Sequence, residues 1–138
     1  MSTKVQELNV YTVLANRGKK ILLLRRQGSK IWEFPGGGVE WGEMPDKAAI
    51  RECIEETSIT PKLQGLLCIT SSSFKKDGKN KHAVYIVYRA KGEGVPKLKG
   101  EHDDFAWVSL WAAKKLGLGY NAKPVIKYLE REGSILVR

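Results

Sequence analysis

Glu52, Glu55 and Glu56 stand beside Arg51 within six residues of a chain that otherwise favours the opposite charge, with twenty-four Lys and Arg against fifteen Asp and Glu. Residues on a helix advance by about 100° each, so this i, i+3, i+4 spacing turns the three carboxylates to one face. Ala49, Ile50, Cys53, Ile54 and Thr57 fall on the other side, which the helix can dock on a sheet. Arg51 lies one turn before Glu55 and can pair with it. Repulsion costs an isolated helix roughly 0.2–0.5 kcal/mol per like-charged pair, a cost that a bound divalent cation reverses. Magnesium suits such a set, because it takes oxygen ligands and keeps waters and phosphate oxygens beside one or two carboxylates. A solvated helix face has the same composition, so the choice falls to neighbouring residues. Six of the fifteen acids, Glu40, Glu43, Asp46, Glu52, Glu55 and Glu56, lie between positions 40 and 56, which points to something cationic meeting this stretch.

Upstream, Gly37 is followed by five residues and Glu43, then by seven residues and Arg51-Glu52-Cys53-Ile54-Glu55-Glu56-Thr57-Ser58-Ile59. This pattern, with Trp32-Glu33-Phe34-Pro35-Gly36-Gly37-Gly38-Val39-Glu40 before it, resembles the signature of the Nudix hydrolase family. The departure is Ser58, where the family has glycine. The resemblance implies an α/β/α sandwich with a mixed sheet, the signature forming a loop, helix and loop. It implies a metal-dependent hydrolase of nucleoside diphosphate-linked compounds, using magnesium or manganese, in which water attacks a phosphorus of the pyrophosphate link. By position, Glu52, Glu55 and Glu56 correspond to metal ligands, with Gly37 joining the metal set and Glu52 also a candidate to activate the water. Arg51 corresponds to the residue that orients them, and Glu43 to its partner or a further metal contact. The family often supplies another ligand or base from a loop before a late strand. Asp104 is the first choice there and Glu101 the second, beside the reading of a solvated acidic turn.

The residue types suit that chemistry. Two phosphates repel an anionic nucleophile, so bound cations must offset charge and acidify the water. Gly36, Gly37 and Gly38 let the backbone pass close to substrate. Arg25 and Arg26 end a strand that enters the glycine segment, and alternation sends one of them to the site. Trp32 is a stacking candidate for the nucleoside, although core packing explains most such aromatics; Trp41, Tyr11, Tyr85 and Tyr88 are weaker candidates. Lys75, Lys76, Lys79 and Lys81 read as a solvated hairpin in preference to a phosphate screen, and His82 and His102 as surface or structural residues.

Positioning these groups takes a set of short elements. Leu8 to Ala15 and Lys19 to Arg26 read as a hairpin turning at Asn16-Arg17-Gly18, and Lys62 to Thr70 and His82 to Ala90 as a second, around the connection SSSFKKDGKNK with Asp77-Gly78 marking the turn. A helix runs from about Pro45 to Thr57, with Asp46 at its positive end. Phe105 to Val108 is a short strand, Ser109 caps a helix through Trp111 to Leu116, and Asn121 caps a last helix ending near Gly133. The fold class is α/β with about three helices, in a single domain spanning residues 1–138 without internal repeats.

At 42% hydrophobic and 28% charged the composition is that of a soluble globular protein. No apolar run is long enough to span a bilayer and the N-terminus lacks a secretory core, so the expected compartment is the cytoplasm. Cys53 and Cys68 read as buried reduced thiols. A net charge of +9 suits a polyanionic partner and equally a solvated surface. The leading expectation is a nucleoside triphosphate pyrophosphohydrolase giving monophosphate and pyrophosphate. A pyrophosphatase for ADP-ribose, a nucleotide sugar or a dinucleoside polyphosphate stands behind it, then a non-catalytic nucleotide- or RNA-binding member, and then a repair or decapping factor acting on a nucleic-acid end, which needs a continuous basic surface. Nucleic acid is the less favoured partner, and a homodimer is an option the resemblance leaves open. Ser58 is expected to alter the helix exit and not the chemistry, at a cost of roughly 1 kcal/mol in a left-handed turn, by shifting the helix end, or by bonding a freed carbonyl through its hydroxyl.

Overall fold

Val10 to Ala15 and Ile21 to Leu24 are buried without alternation, the mark of strands covered on both faces. The computed structural model, which describes residues 3–133, places them at the centre of a mixed sheet. The strands are β1 (Lys4–Ala15), β2 (Ile21–Arg26), β3 (Trp32–Glu33), β4 (Gly36–Gly38), β5 (Lys62–Lys76), β6 (Lys79–Lys91) and β7 (His102–Val108). The helices are α1 (Pro45–Thr57), α2 (Leu110–Ala113) and α3 (Lys123–Arg131). Sheet order is β3-β2-β1-β6-β5, with β4 on β1 and β7 on β2. β1 and β6 run parallel and the other pairs are antiparallel. β1 meets β2 only at Ala15 and Ile21, which leaves its Asn9–Tyr11 edge free for β4.

Helices cover both faces, as the expected α/β/α sandwich requires. On one side Val13, Leu23, Phe34 and Val87 pack with Val125 and Leu129 of α3. On the other, Leu14, Leu22, Leu24 and Ala90 meet Cys53 of α1, and Val10 meets Ala48 and Ala49. Each fully buried Leu or Val contributes about 1.5–3 kcal/mol by leaving water. Cys53 and Cys68 are free and buried. Ile54, expected on the docked side of α1, is 38% exposed; the smaller Ala48 and Ala49 carry the contact instead. Among the described residues no helix is long and apolar enough to cross a membrane.

Several boundaries differ from expectation for local reasons. The polar connection SSSFKKDGKNK is strand almost throughout: Ser71 to Lys76 pair with Lys79 to Val84, leaving Asp77 and Gly78, with φ of 54° and 72°, as a two-residue turn. Positive φ at both central residues matches the right-handed strand twist. The glycine triplet is not a loop but the strand β4. Ser109 caps α2 as expected, accepting from the Ala112 N–H at 3.1 Å. That helix stops at Ala113, beyond which Lys115 and Leu116 bond to carbonyls three residues back. Asn121 does not cap α3; Ala122 holds the N-cap position without a side-chain bond, and the Asn121 amide is engaged elsewhere. Ser58 takes the left-handed conformation at φ 62°, its N–H bonding the Ile54 carbonyl at 2.8 Å, so the helix end is not shifted.

Candidate active site

The glutamate side of α1 comes to rest over β4, and the glycines make room for it. Gly36 runs so close to β1 that a Cβ would lie 2.1 Å from the Val10 carbonyl oxygen. Its N–H donates to Glu56 Oε1 at 2.8 Å. A Cβ on Gly37 would lie 2.7 Å from the Glu52 carboxyl carbon. The space a side chain would take at Gly37 is filled by the Glu52 carboxylate, and that at Gly36 by the backbone and Tyr11 ring of β1.

Arg51 organises the remaining acids. Its Nε donates to Glu43 Oε2 at 2.7 Å and its Nη2 to Glu43 Oε1 at 2.9 Å, a two-pronged pairing. Nη2 also reaches the Gly38 carbonyl at 3.0 Å, while Nη1 donates to Glu52 at 2.9 Å and Glu55 at 3.2 Å. One guanidinium thus ties the segment after β4 to α1 and spaces two carboxylates. The Arg51 bonds, helped by the Glu40 N–H, hold the Glu43 carboxyl down to about 2. Burial acts the other way on the deeper acids. It raises Glu52 above the usual range despite Arg51, and it pushes Glu56 up to about 8 despite the Gly36 N–H, with Glu52 adding repulsion.

These groups open on a cavity of about 780 Å³. Facing them is a network built on Glu33. Its Oε2 lies 2.8 Å from His102 Nε2 and 3.0 Å from Arg26 Nε, and its Oε1 accepts from Asn121 Nδ2 at 3.2 Å. Burial works to raise Glu33, but His102, Arg26 and Asn121 outweigh it and hold the carboxyl below its ordinary value. An ionised carboxylate only accepts, so His102 Nε2 carries the proton in this contact. Arg26 Nη1 bonds Glu101 at 2.8 Å. A third wall carries Lys75, Lys76 and Lys99, with Phe74 and Tyr120 stacked at 5.3 Å and 5° between planes.

The structure brings Gly36, Gly37, Gly38, Glu52, Glu55, Glu56 and Arg26 to this cavity, with Arg51 and Glu43 directly behind its acidic wall. It does not bring Arg25, Trp32 or Asp104 to its lining. Arg25 pairs with Asp103 at 2.9 Å and lies over the Trp32 ring at 5.9 Å, and Trp32 packs on the core. Asp104 sits opposite Arg25 in the β2–β7 register and accepts from the Phe105 N–H at 2.8 Å. Glu101, the second choice, is the acid of that loop on the cavity. Trp41 is fully exposed. Sequence reasoning missed Glu33, Asn121, Lys99 and Tyr120 as lining residues; Glu33, a carboxyl flanked by Trp32 and Phe34, was the one anomaly that pointed inward.

A family model of the NUDIX domain matches residues 5–129. The chain belongs to the Nudix hydrolase family. Within it, the chain is 33% identical over 121 residues to an RNA pyrophosphohydrolase of Pseudoalteromonas translucida, and 31% to one of Shewanella sediminis, in each case covering 75% of this chain and 70% of the relative. The crystal structure of a MutT Nudix hydrolase from Burkholderia pseudomallei superposes with a TM-score of 0.77 at 26% identity, covering 91% of this chain and 98% of that one. The Nudix fold and hydrolase class expected from the signature are therefore those of this protein. Nudix hydrolases generally use divalent metal ions, and the donor set fits one. Glu52, Glu55 and Glu56 are oxygen donors on one wall, and the half-buried Glu56 carboxyl ionises readily only beside added positive charge. Among the described residues no three His, Cys, Asp or Glu side chains yet converge as ligands, since Arg51 draws Glu52 and Glu55 to itself and Gly36 holds Glu56.

Proposed function

We propose that this Nudix hydrolase cleaves the pyrophosphate link of a nucleoside triphosphate, releasing pyrophosphate and leaving a 5′-monophosphate. The observation that carries the reading is the polarity of one cavity: carboxylates of α1 on one wall, the cations Arg26, Lys75, Lys76 and Lys99 on others, and the Phe74–Tyr120 pair beside them. Lysines and Arg26 hold phosphate oxygens as charge-assisted donors, while the aromatic pair and Ile31 receive the base. Asn121, oriented by Glu33, offers its amide oxygen, which is buried without a hydrogen-bond partner among the described residues. Glu52, Glu55 and Glu56 would hold a divalent ion, magnesium or manganese, which would neutralise charge and acidify a water when bound. Glu52 takes the proton of the attacking water; the new P–O bond forms as the bridging P–O bond breaks, and the electron pair leaves with pyrophosphate. Arg51 positions Glu52 through the 2.9 Å bond.

A second reading, that the triphosphate is the 5′ end of an RNA, is supported by the relatives named RNA pyrophosphohydrolases and by Lys75, Lys76 and Lys99 on the cavity lining. A panel of nucleoside triphosphates, ADP-ribose, a dinucleoside tetraphosphate and triphosphate-ended RNA, with magnesium and phosphorus NMR of the products, tests both. Pyrophosphate and monophosphate from a triphosphate support the proposal; turnover of ADP-ribose alone overturns it.

A further inference from the structure

Two cavities lie toward opposite ends of α3. Asn121, just before the helix, lines the active-site cavity. Glu132, just after it, lies 3.9 Å from Arg89, which lines a separate cavity of about 670 Å³. Register places that second cavity on the sheet. Ala15 pairs with Lys91 across β1 and β6, and Lys91 with Lys62 across β6 and β5, so the three share one face. Arg89, two residues before Lys91, points the same way. Ala15 belongs to the core cluster that includes Val125 and Leu129 of α3, which identifies the face as the one α3 covers. Ala15 stands four residues along β1 from Tyr11 of the active-site cavity, about 13 Å, with the fully buried Val13 between them. The two cavities share no lining residue.

Arg17, Lys19, Lys62, Arg89 and Lys91 line the second cavity, with Glu93 as the one acid among its described lining residues. Lys62 and Lys91 stand directly opposite each other in the antiparallel ladder, an arrangement that weakens a sheet. Glu93 is drawn to Arg17, whose backbone N–H it accepts and whose Nε it meets at 3.9 Å. Arg89, with a side chain 23% exposed, meets Glu132 only at 3.9 Å, beyond hydrogen-bond distance. Lysine ion pairs among the described residues are those of Lys30, Lys81 and Lys114, which leaves Lys19, Lys62 and Lys91 without one. Five cations around one concavity, two of them facing across a ladder, favour an anion. The size is that of a small-molecule site, about 300–1,000 Å³. No aromatic residue is among the lining, so nothing there stacks a base. Ammonium and guanidinium groups donate to phosphate oxygens, and phosphate is the part of a ligand that this lining recognises.

We propose that this second cavity binds a compact inorganic polyphosphate, of the pyrophosphate and tripolyphosphate class. Lys62, Lys91 and Arg89 hold it from the sheet, and Arg17 and Lys19 from the β1–β2 turn. The bound anion neutralises the Lys62–Lys91 pair that the fold leaves uncompensated. The site is independent of which nucleotide the active-site cavity cleaves.

Calorimetric titration of the intact, metal-free protein with inorganic tripolyphosphate, pyrophosphate and sulfate tests this. Tripolyphosphate should bind at one per chain, more tightly than pyrophosphate, and sulfate at least tenfold more weakly than either. The Lys62→Gln, Lys91→Gln double variant should lose at least tenfold in tripolyphosphate affinity. Its Tm should be no lower than the parent's, because the substitutions also remove a like-charged pair. Arg17→Gln with Lys19→Gln leaves the β5–β6 ladder untouched and should cost at least threefold. Lys75→Gln with Lys76→Gln removes the same charge from the active-site cavity and should change the affinity less than twofold. Absence of saturable binding, sulfate bound as tightly as tripolyphosphate, or an equal loss in the Lys75, Lys76 variant overturns the site. Neither Lys62 nor Lys91 lines the active-site cavity, so hydrolysis of nucleoside triphosphate with magnesium should proceed at the parent's rate in their double variant. Absence of that hydrolysis in the parent overturns the function proposed above, while the titrations still decide this site.

Discussion

The Glu52 carboxyl lies where a side chain on Gly37 would have to be, 2.7 Å from the Cβ that any other residue would carry. Gly37 has no positive φ, so its value is the missing atom and not backbone freedom. Gly37→Ala is expected to displace Glu52 and lower kcat by about two orders of magnitude, with little change in Tm. Steady-state kinetics beside thermal melts check this; a variant with near-parent kcat would show that Glu52 can work from elsewhere.

Glu52→Gln keeps the size of the side chain and its place beside Arg51 but removes the base. Turnover should fall by about 10²–10⁴-fold with KM little changed. Rapid-quench measurement of a single turnover separates this from slowed product release. A loss confined to KM would assign Glu52 to binding alone.

Glu56 stands at about 8 against an ordinary 4.5 because burial disfavours its charge. The fold therefore favours the neutral acid, so stability linked to Glu56 in the metal-free protein is fully present below about 4.5 and is lost as pH rises through about 8. Metal binding needs the ionised form. At pH 7 it should release close to one proton, and affinity should climb by up to tenfold per pH unit until about pH 8. Calorimetry in buffers of different ionisation enthalpy counts that proton, and Glu56→Gln should abolish it. Metal affinity flat from pH 6 to 8 would remove Glu56 from the ligand set.

Asp104 and Glu101 are separated by where their neighbours draw them. Asp104 bonds its own following N–H, whereas Glu101 lines the cavity and holds Arg26 at 2.8 Å. Glu101→Gln should cost at least tenfold in kcat/KM and Asp104→Asn under about twofold, in the same assay. The reverse order would return Asp104 to the site.

Ser58→Gly relieves a left-handed residue that ends α1 in the open. The expected gain is about 1 kcal/mol, or about 3 °C in Tm, with turnover unchanged, because the side chain lies outside the cavity lining. Calorimetry and the standard assay check both halves.

The sequence alone determined what depends on local spacing. Six residues from Arg51 to Glu56 fix a helix face, and the distances back to Glu43 and Gly37 fix a family, because helical geometry and covalent chain length are the same wherever the segment sits. Strand cores such as Val10 to Ala15 were legible for the same reason, since burial on both faces leaves a near-continuous apolar run, broken here only by Thr12, in place of alternation. What only the tertiary structure decided was which ends of separate strands face one another. Asp104 and Glu101 look alike in sequence, and the β2–β7 register with its irregularity at Arg25 and Arg26 sends one beside Arg25 and the other to the cavity. Asn121 has the composition of a helix cap, yet a buried Glu33 far away in the chain takes its amide, because an ionised carboxyl out of water needs donors more than an exposed helix end does. The lysines of the β5–β6 hairpin read as a solvated loop, but strand pairing divides them between the two faces and only Lys75 and Lys76 reach the cavity lining. Those outcomes depend on long-range packing, which no spacing within one segment encodes.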